Sequence, residues 1–354
     1  MKVGIVYHEK FSQYDLGPNH PFRGDRFINA KRFFEDKRVF QSPNVSILRP
    51  EAAKHEDLLK VHSKDYVDLI FRLAEMNAPY DRDTSVSQKI VNALMLIIGG
   101  AMEAGTAIYE EGLNRSVLLG GGFHHAGRDY GGGFCLFNDI AILVEHIRAN
   151  YGLKQILILD YDVHFGNGTS DIYYSDPSVL FISLHQDPMT IYPGTGFIEQ
   201  IGEGEGEGYN VNVPLPPETG EQTYLYALME IFLPLAEEFK PEIIIANGGS
   251  DAYFADSLGR LGLTVKGFFE LSKTIVKAAQ KLCNGRIVLI LGSGYNPTAL
   301  PYCWYALVGG VIGLETVDIE EPYPPPEDPW RNRQIVDENL RELKEILGKY
   351  WNCF

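Results

Sequence analysis

Positive charge is scarce in this 354-residue chain: 31 Lys and Arg stand against 47 Asp and Glu, for a formal charge of -16. Nowhere do the basic residues cluster as a phosphate-binding surface requires, which excludes nucleic acid as a partner and fits a cationic or neutral substrate. Cysteine is sparse too, and Cys135, Cys283, Cys303 and Cys353 form neither a CxxC pair nor a zinc-knuckle spacing. Reduced thiols in a cytoplasmic protein are the expectation. Long apolar runs are missing: Ala93 to Met102 is interrupted by Glu103 and falls short of the roughly 20 residues needed to cross a bilayer. The opening Lys2-Val-Gly-Ile-Val-Tyr7 reads as a strand, not as the charged head and apolar core of a secretory signal. These absences predict a soluble protein with no membrane partner, and they leave the oligomeric state open.

Hydrophobic residues at 45% and charged residues at 22% describe an ordinary globular chain with a large core. Short β-branched runs of the buried-strand type occur at Val3–Tyr7, Val45–Leu48, Val117–Leu119, Ile156–Leu159, Val179–Ser183, Tyr209–Val213, Ile243–Ala246 and Ile287–Leu291. Helical periodicity lies between most of them, at Arg26–Glu35, Lys64–Met76, Ser87–Glu110, Asn138–Asn150, Glu221–Phe239 and Lys266–Leu282, with a closing polar helix over Arg331–Lys349. Strands alternating with helices predict one parallel α/β sheet covered on both faces. No stretch reads as an interdomain linker or an internal repeat. The Gly-Glu alternation from Gly202 to Gly208 is expected to be a flexible surface turn, with an acidic rim for a cationic substrate as the alternative. The Pro-rich acidic segment Glu320–Pro329 is expected to wrap the surface without regular structure.

In such sheets the sites lie beyond the carboxyl ends of the strands, and there the polar residues collect. Asp162 and His164 follow one strand at positions i and i+2, where alternate side chains point the same way and can share a metal. Asp251 follows another strand in Asn247-Gly-Gly-Ser-Asp251. Two carboxylates and an imidazole leave a fourth coordination position open for water, the mark of a catalytic zinc site as opposed to a closed structural one. His124 and His125 follow the glycines Gly120–Gly122 and are candidates for proton transfer, with Asp160 and Asn167 available to fix their tautomers. In Leu291-Gly-Ser-Gly-Tyr295-Asn296 the phenol of Tyr295 is a candidate donor to an oxyanion. None of the glycine runs has a GxGxxG or GxxxxGK[ST] pattern, so a nucleotide site is not expected.

The segments GGGFHHAGRDYGGGFCLFND, DYDVHFGNGT, FISLHQDPMTIYPGTG, NGGSDAYFADSLGRLGLT and LGSGYN together resemble the zinc-dependent histone deacetylase family, close to its prokaryotic acetoin-utilisation and class II-like deacetylase branch. The resemblance implies an arginase-like open α/β fold with a parallel eight-stranded sheet, and one catalytic domain over residues 1–354. It implies removal of an acyl group, usually acetyl, from an amine by metal-activated water, on acetyl-lysine in a protein or peptide or on another acetylated amine such as an acetylpolyamine. Matched residue by residue, Asp162, His164 and Asp251 are the Zn2+ ligands, with Fe2+ as the other candidate metal. His125 is the general base and acid, His124 the second histidine, Tyr295 the carbonyl-polarising tyrosine, and Asp160 and Asn167 the groups bonded to the histidines. Asn at 167 is the class II-like choice.

Gly133, Phe134 and Tyr192 match the walls of a narrow substrate tunnel, and Asp83 the aspartate at its rim. Ser183 and Leu184, with Asp160, Asp162 and His164, match a structural K+ site, and Tyr173, Asp176, Val179 and Tyr209 match a second. Arg26 matches an interior arginine beneath the metal. Two features bear on what enters the tunnel. The family commonly writes DxHHGNGT, whereas this chain has Phe165 after His164, which predicts altered local packing. Between Tyr80 and Ser116 there is no long insertion of the kind expected to narrow the tunnel for polyamines. A binuclear manganese site would need an Asp where Gly166 stands.

Overall fold

The computed structural model describes all residues, Met1–Phe354. Eight strands form it: β1 (Val3–Val6), β2 (Val45–Leu48), β3 (Arg115–Leu118), β4 (Ile156–Asp160), β5 (Val179–Gln186), β6 (Asn210–Leu215), β7 (Ile243–Gly249) and β8 (Ile287–Ser293). They make one parallel sheet in the order β2-β1-β3-β8-β7-β4-β5-β6. Every predicted strand is present. Those from β3 to β8 are buried along their whole length, which is why β4, β5, β7 and β8 open on continuous apolar runs; β6, Asn-Val-Asn-Val-Pro-Leu, alternates even though it is buried throughout.

The helices are α1 (Asp25–Asp36), α2 (His55–Leu58), α3 (Lys64–Met76), α4 (Gln88–Glu110), α5 (Asp139–Tyr151), α6 (Asn167–Tyr173), α7 (Glu221–Phe239), α8 (Val265–Leu282), α9 (Leu300–Ile312) and α10 (Trp330–Leu347). Local chemistry sets their starts. The side chains of Ser63, Ser87, Asn138 and Thr264 each accept a backbone N–H from the first turn of α3, α4, α5 and α8. Three helices were not expected from the sequence: α2 and α6, one or two turns each, and α9, which is buried nearly all round and therefore has no apolar stripe to betray its period. The apolar patch at 93–102 sits within α4, whose 23 residues are long and apolar enough to cross a membrane. Yet 78% of its apolar window is buried inside the fold, as in a core helix. The four cysteines are free, three of them buried.

Residue contacts divide the chain into two interleaved units. The first comprises 1–153, 167–172 and 288–292; the second comprises 154–166, 173–287 and 293–354. In the first, β1 pairs with β2 and β3. In the second, β4 lies between β5 and β7, in register with Asp160 opposite Ser183 and Asn247.

Both loop segments of the second unit carry anchoring contacts. The Gly202–Gly208 run is a surface turn with Glu203, Gly204, Glu205 and Glu207 exposed, while Gly206 is buried against Ser175 and Asp176 and the Trp351 indole donates to the Gly208 carbonyl at 2.8 Å. The segment 320–329 lacks regular structure as expected, but two of its carboxylates bind helix starts. Asp328 accepts from Gly220 and Thr223 at the start of α7, and Glu321 accepts from Val265 at the start of α8.

Candidate metal centre and proton-transfer residues

The register of β4 against β7 brings the metal candidates together. With Asp160 opposite Asn247, the residues two and four positions beyond Asp160 face those four beyond Asn247. The donor atoms of Asp162, His164 and Asp251 accordingly lie within 4.8 Å of one another, all buried. His164 Nδ1 is 3.0 Å from Asp162 Oδ1 and 3.4 Å from Asp251 Oδ2. The loop is built from its own carboxylates. Asp160 Oδ1 accepts from the Asp162 N–H and the Asn247 amide, Asp162 Oδ1 from the His164 N–H, and Asp251 Oδ1 from the Val163 N–H.

This cluster is short of positive charge. Burial, and next the neighbouring Asp162, pushes the Asp251 carboxyl up to about 8, with His164 opposing. Burial would lower the His164 imidazole, but its close contacts with the two carboxylates and their charges outweigh that and raise it to about 10. Asp251 Oδ2 is buried with no well-formed hydrogen bond, a costly state for a carboxylate oxygen. Two oxygens and an imidazole nitrogen aimed at one point suit a divalent cation of the zinc or ferrous type. The donor set therefore fits the metal that the sequence predicts.

In the same unit, Tyr295 stands just past β8. Asp256 anchors it: its Oδ2 accepts from the Tyr295 N–H at 2.6 Å and the Asn296 N–H at 3.2 Å, and its Oδ1 from Leu258 and Gly259. Gly294 is at φ +123°, and a Cβ there would lie 2.0 Å from Ser250 Oγ, so only glycine fits this turn. Tyr192 is half exposed, at 49%. Phe165 is buried against the His185 ring, centroids 5.0 Å apart, and His185 spans from Ser183 Oγ (2.8 Å) to the Gly196 carbonyl (2.9 Å). Of the residues matched to cation sites, Asp160, Asp162, His164, Ser183, Leu184, Tyr173 and Val179 are buried. The Asp176 carboxylate takes the N–H and hydroxyl of Ser178, and the Tyr209 ring meets Trp351 edge-on.

The first unit carries the histidine pair, buried, with ring centroids 4.1 Å apart. His125 Nδ1 meets Asn167 Oδ1 at 2.7 Å, the partnership expected from the sequence. The glycine turn before them is held by a residue that sequence reasoning missed. Asp139, wholly buried at the start of α5, accepts from the N–H groups of Gly122 (3.0 Å) and Phe123 (2.8 Å). Burial pushes its carboxyl up to about 6 despite those bonds. Beyond the pair, His62 Nδ1 bonds the Gly127 carbonyl at 2.8 Å while its Nε2 accepts from Asn138 N. Because a carbonyl only accepts, His62 carries its proton on Nδ1, and burial lowers its pKa to about 4, keeping it neutral.

Gly133 and Phe134 are both in the left-handed region, at φ +51° and +69°. The Phe134 conformation is held by Tyr14, whose hydroxyl donates to its carbonyl at 2.6 Å, and by His20 edge-on to its ring. Asp83 is exposed in a turn closed by Asp81. Arg26 is buried and donates to the carbonyls of Gly292, Pro21 and Arg23.

Residues 20–311 match the model of the histone deacetylase domain. The chain belongs to the histone deacetylase family. Among its relatives is a probable deacetylase of Archaeoglobus fulgidus, 37% identical over the full length of both chains. The chloroplastic histone deacetylase 14 of Arabidopsis thaliana is 36% identical over 94% of this chain and 79% of its own. The acetoin utilization protein AcuC of Staphylococcus aureus is 30% identical over 99% and 89%. Among solved structures, the HDA15 HD domain superimposes with a TM-score of 0.87 at 27% identity, covering 99% of this chain and 96% of that one. Archaeal, bacterial and plant relatives thus match at comparable levels, so the family is shown but not the branch.

Proposed function

We propose that this protein is a metal-dependent amidohydrolase that removes acetyl, or another short acyl group, from a lysine-type amine, with residues 1–354 acting as one catalytic domain. The observation that carries this reading is the buried Asp162, His164 and Asp251 cluster, its donor atoms within 4.8 Å of one another, in a chain of this family. Held there, Zn2+ or Fe2+ would supply an acidified water and a Lewis-acid contact to the amide carbonyl. His125 takes the water's proton at Nε2, its Nδ1 being engaged by Asn167. The Tyr295 hydroxyl donates to the amide oxygen as negative charge develops there. Protonated His125 then returns its proton to the departing amine nitrogen. His124 is assigned to tuning the site electrostatically, Gly133, Phe134, Tyr192 and Asp83 to positioning the substrate, and the two sets of residues matched to K+ to structural cations. Asn167 favours the class II-like branch, and a cytoplasmic setting suits the free thiols.

The test is turnover by metal-reconstituted protein of acetyl-lysine peptides beside N-acetylputrescine and N-acetylspermidine. Peptides are expected to be preferred, and a preference for the polyamines would reassign the substrate. Exchanging His125→Ala should abolish turnover with bound metal unchanged, and retained turnover would remove the proton-transfer role.

A further inference from the structure

The His125–Asn167 contact does not end at Asn167. The amide nitrogen of Asn167 donates to the Tyr130 hydroxyl oxygen at 3.1 Å, and that hydroxyl in turn donates to the Asp171 carboxylate. His125, Asn167, Tyr130 and Asp171 thus form a continuous chain within the first unit, running from a buried imidazole to an exposed carboxylate. Its parts are held independently of one another. Asn167 and Asp171 are one turn apart on α6, the spacing that stacks two side chains on one helix face. The helix is held to the histidine loop by the Thr169 N–H on the His124 carbonyl at 3.0 Å and by Gly168, whose added Cβ would lie 2.4 Å from Ala126. Tyr130 closes a tight turn, its carbonyl accepting from Gly127 N at 2.9 Å, with its ring over Gly127.

The direction of the chain follows from its exposed end. A carboxylate accepts and does not donate, so the Tyr130 proton points to Asp171. The phenol oxygen is left as an acceptor, which selects the NH2 end of the Asn167 amide. The amide oxygen then faces His125, and an oxygen facing an imidazole nitrogen requires a proton on that nitrogen. His125 is fixed as the Nδ1–H tautomer, with its Nε2 lone pair available to accept a proton. Without a polar partner at Tyr130 the amide has no reason to keep its oxygen toward His125, since its two ends are nearly the same shape. We propose that Tyr130 and Asp171 are positioning residues that set the polarity of this chain and thereby make Nε2 of His125 the basic nitrogen. This deepens the reading of His125 as the proton-transfer residue and rests on it.

The experiment uses the full-length, metal-reconstituted protein and two readouts. First, ring-15N-labelled histidine, with the His125→Ala variant to assign the signal, reports the tautomer of His125 by NMR without any substrate. The parent should show a protonated Nδ1 and an unprotonated Nε2, and Tyr130→Phe should show a mixture. Second, Tyr130→Phe should lower kcat about tenfold with little change in KM. The same exchange in an Asn167→Asp background should cost less than about twofold, because a carboxylate presents an acceptor to His125 whichever way it turns. Asp171→Ala, at an exposed position, should move both readouts the same way by a smaller amount. An unchanged His125 tautomer in Tyr130→Phe, or an equal loss of kcat from Tyr130→Phe with and without the Asn167→Asp exchange, would overturn the proposal. Should no amide be turned over, the NMR arm still decides the polarity, so failure of the deacetylase reading is distinguishable from failure of this one.

Discussion

Replacing Asp139 by Asn separates two things that a buried carboxylate does. Its two oxygens accept one backbone N–H each, from Gly122 and Phe123, whereas an amide of the same size can accept only one and turns an NH2 against the other. Leaving one buried donor unmet costs about 1–3 kcal/mol. Burial opposes this cost, because it holds the folded carboxyl near 6, above its ordinary value of 3.8. A carboxyl raised on folding binds protons more tightly in the folded state. Its contribution is therefore full below the unfolded value and is lost as pH climbs through about 6. Between about pH 4.5 and 7.5 the linkage amounts to roughly 2 kcal/mol, and Asn, which does not titrate, removes it. Urea unfolding of parent and Asp139→Asn protein across that range should therefore show the parent's advantage shrinking by roughly 2 kcal/mol as pH rises. Parallel pH curves would refute the reasoning, since they would mean that Asp139 is either hydrated or ionised alike in both states.

Two further outcomes follow from the loops. Asp256→Asn removes an acceptor from the carboxylate that holds Tyr295 and Asn296, and should lower kcat roughly 10- to 100-fold with bound metal unchanged by elemental analysis; loss of metal would show that Asp256 acts on the ligands instead. Phe165→His would set a second imidazole against the buried His185 ring, and should lower Tm by about 2–4 °C in a thermal scan while metal stoichiometry holds. A neutral or raised Tm would mean the new imidazole finds a hydrogen-bond partner in that pocket.

What the sequence disclosed and what it hid divide by the range of the interaction. The central strands β4, β5, β7 and β8 were legible because burial on both faces leaves an apolar run, and Asp162, His164 and Asp251 because each follows such a run. The metal cluster needed only the added fact that β4 and β7 are neighbours. Asp139 and Asp256 were not legible. An aspartate in the first turn of α5 reads as a response to the helix dipole, and nothing near it announces that its oxygens serve a turn 16 and 17 residues earlier. Asp256 likewise reaches Tyr295 across 39 residues. His62 bonds Gly127 across 65, so a histidine in an ordinary loop becomes a support for the loop that follows His124 and His125. The helix α9 was hidden for the opposite reason, being apolar on every side.

The glycines at the strand ends show why such long-range anchors are needed. A Cβ on Gly292 would stand 1.8 Å from the Gly121 carbonyl oxygen, and one on Gly249 2.1 Å from the Ser293 carbonyl oxygen. Neighbouring turns therefore meet backbone to backbone, with no side chain between them. Such contact removes the side-chain packing that would otherwise fix the turns and leaves backbone N–H groups in need of acceptors. A carboxylate supplies two acceptor oxygens from a short side chain. Asp139 serves the turn before the histidines, Asp160 the metal loop and Asp256 the tyrosine turn. Each is buried or nearly so, and burial raises the Asp139 and Asp256 carboxyls, so the anchors work against their own desolvation. They persist because an unanchored glycine turn would leave buried backbone N–H groups without acceptors, at about 1–3 kcal/mol each.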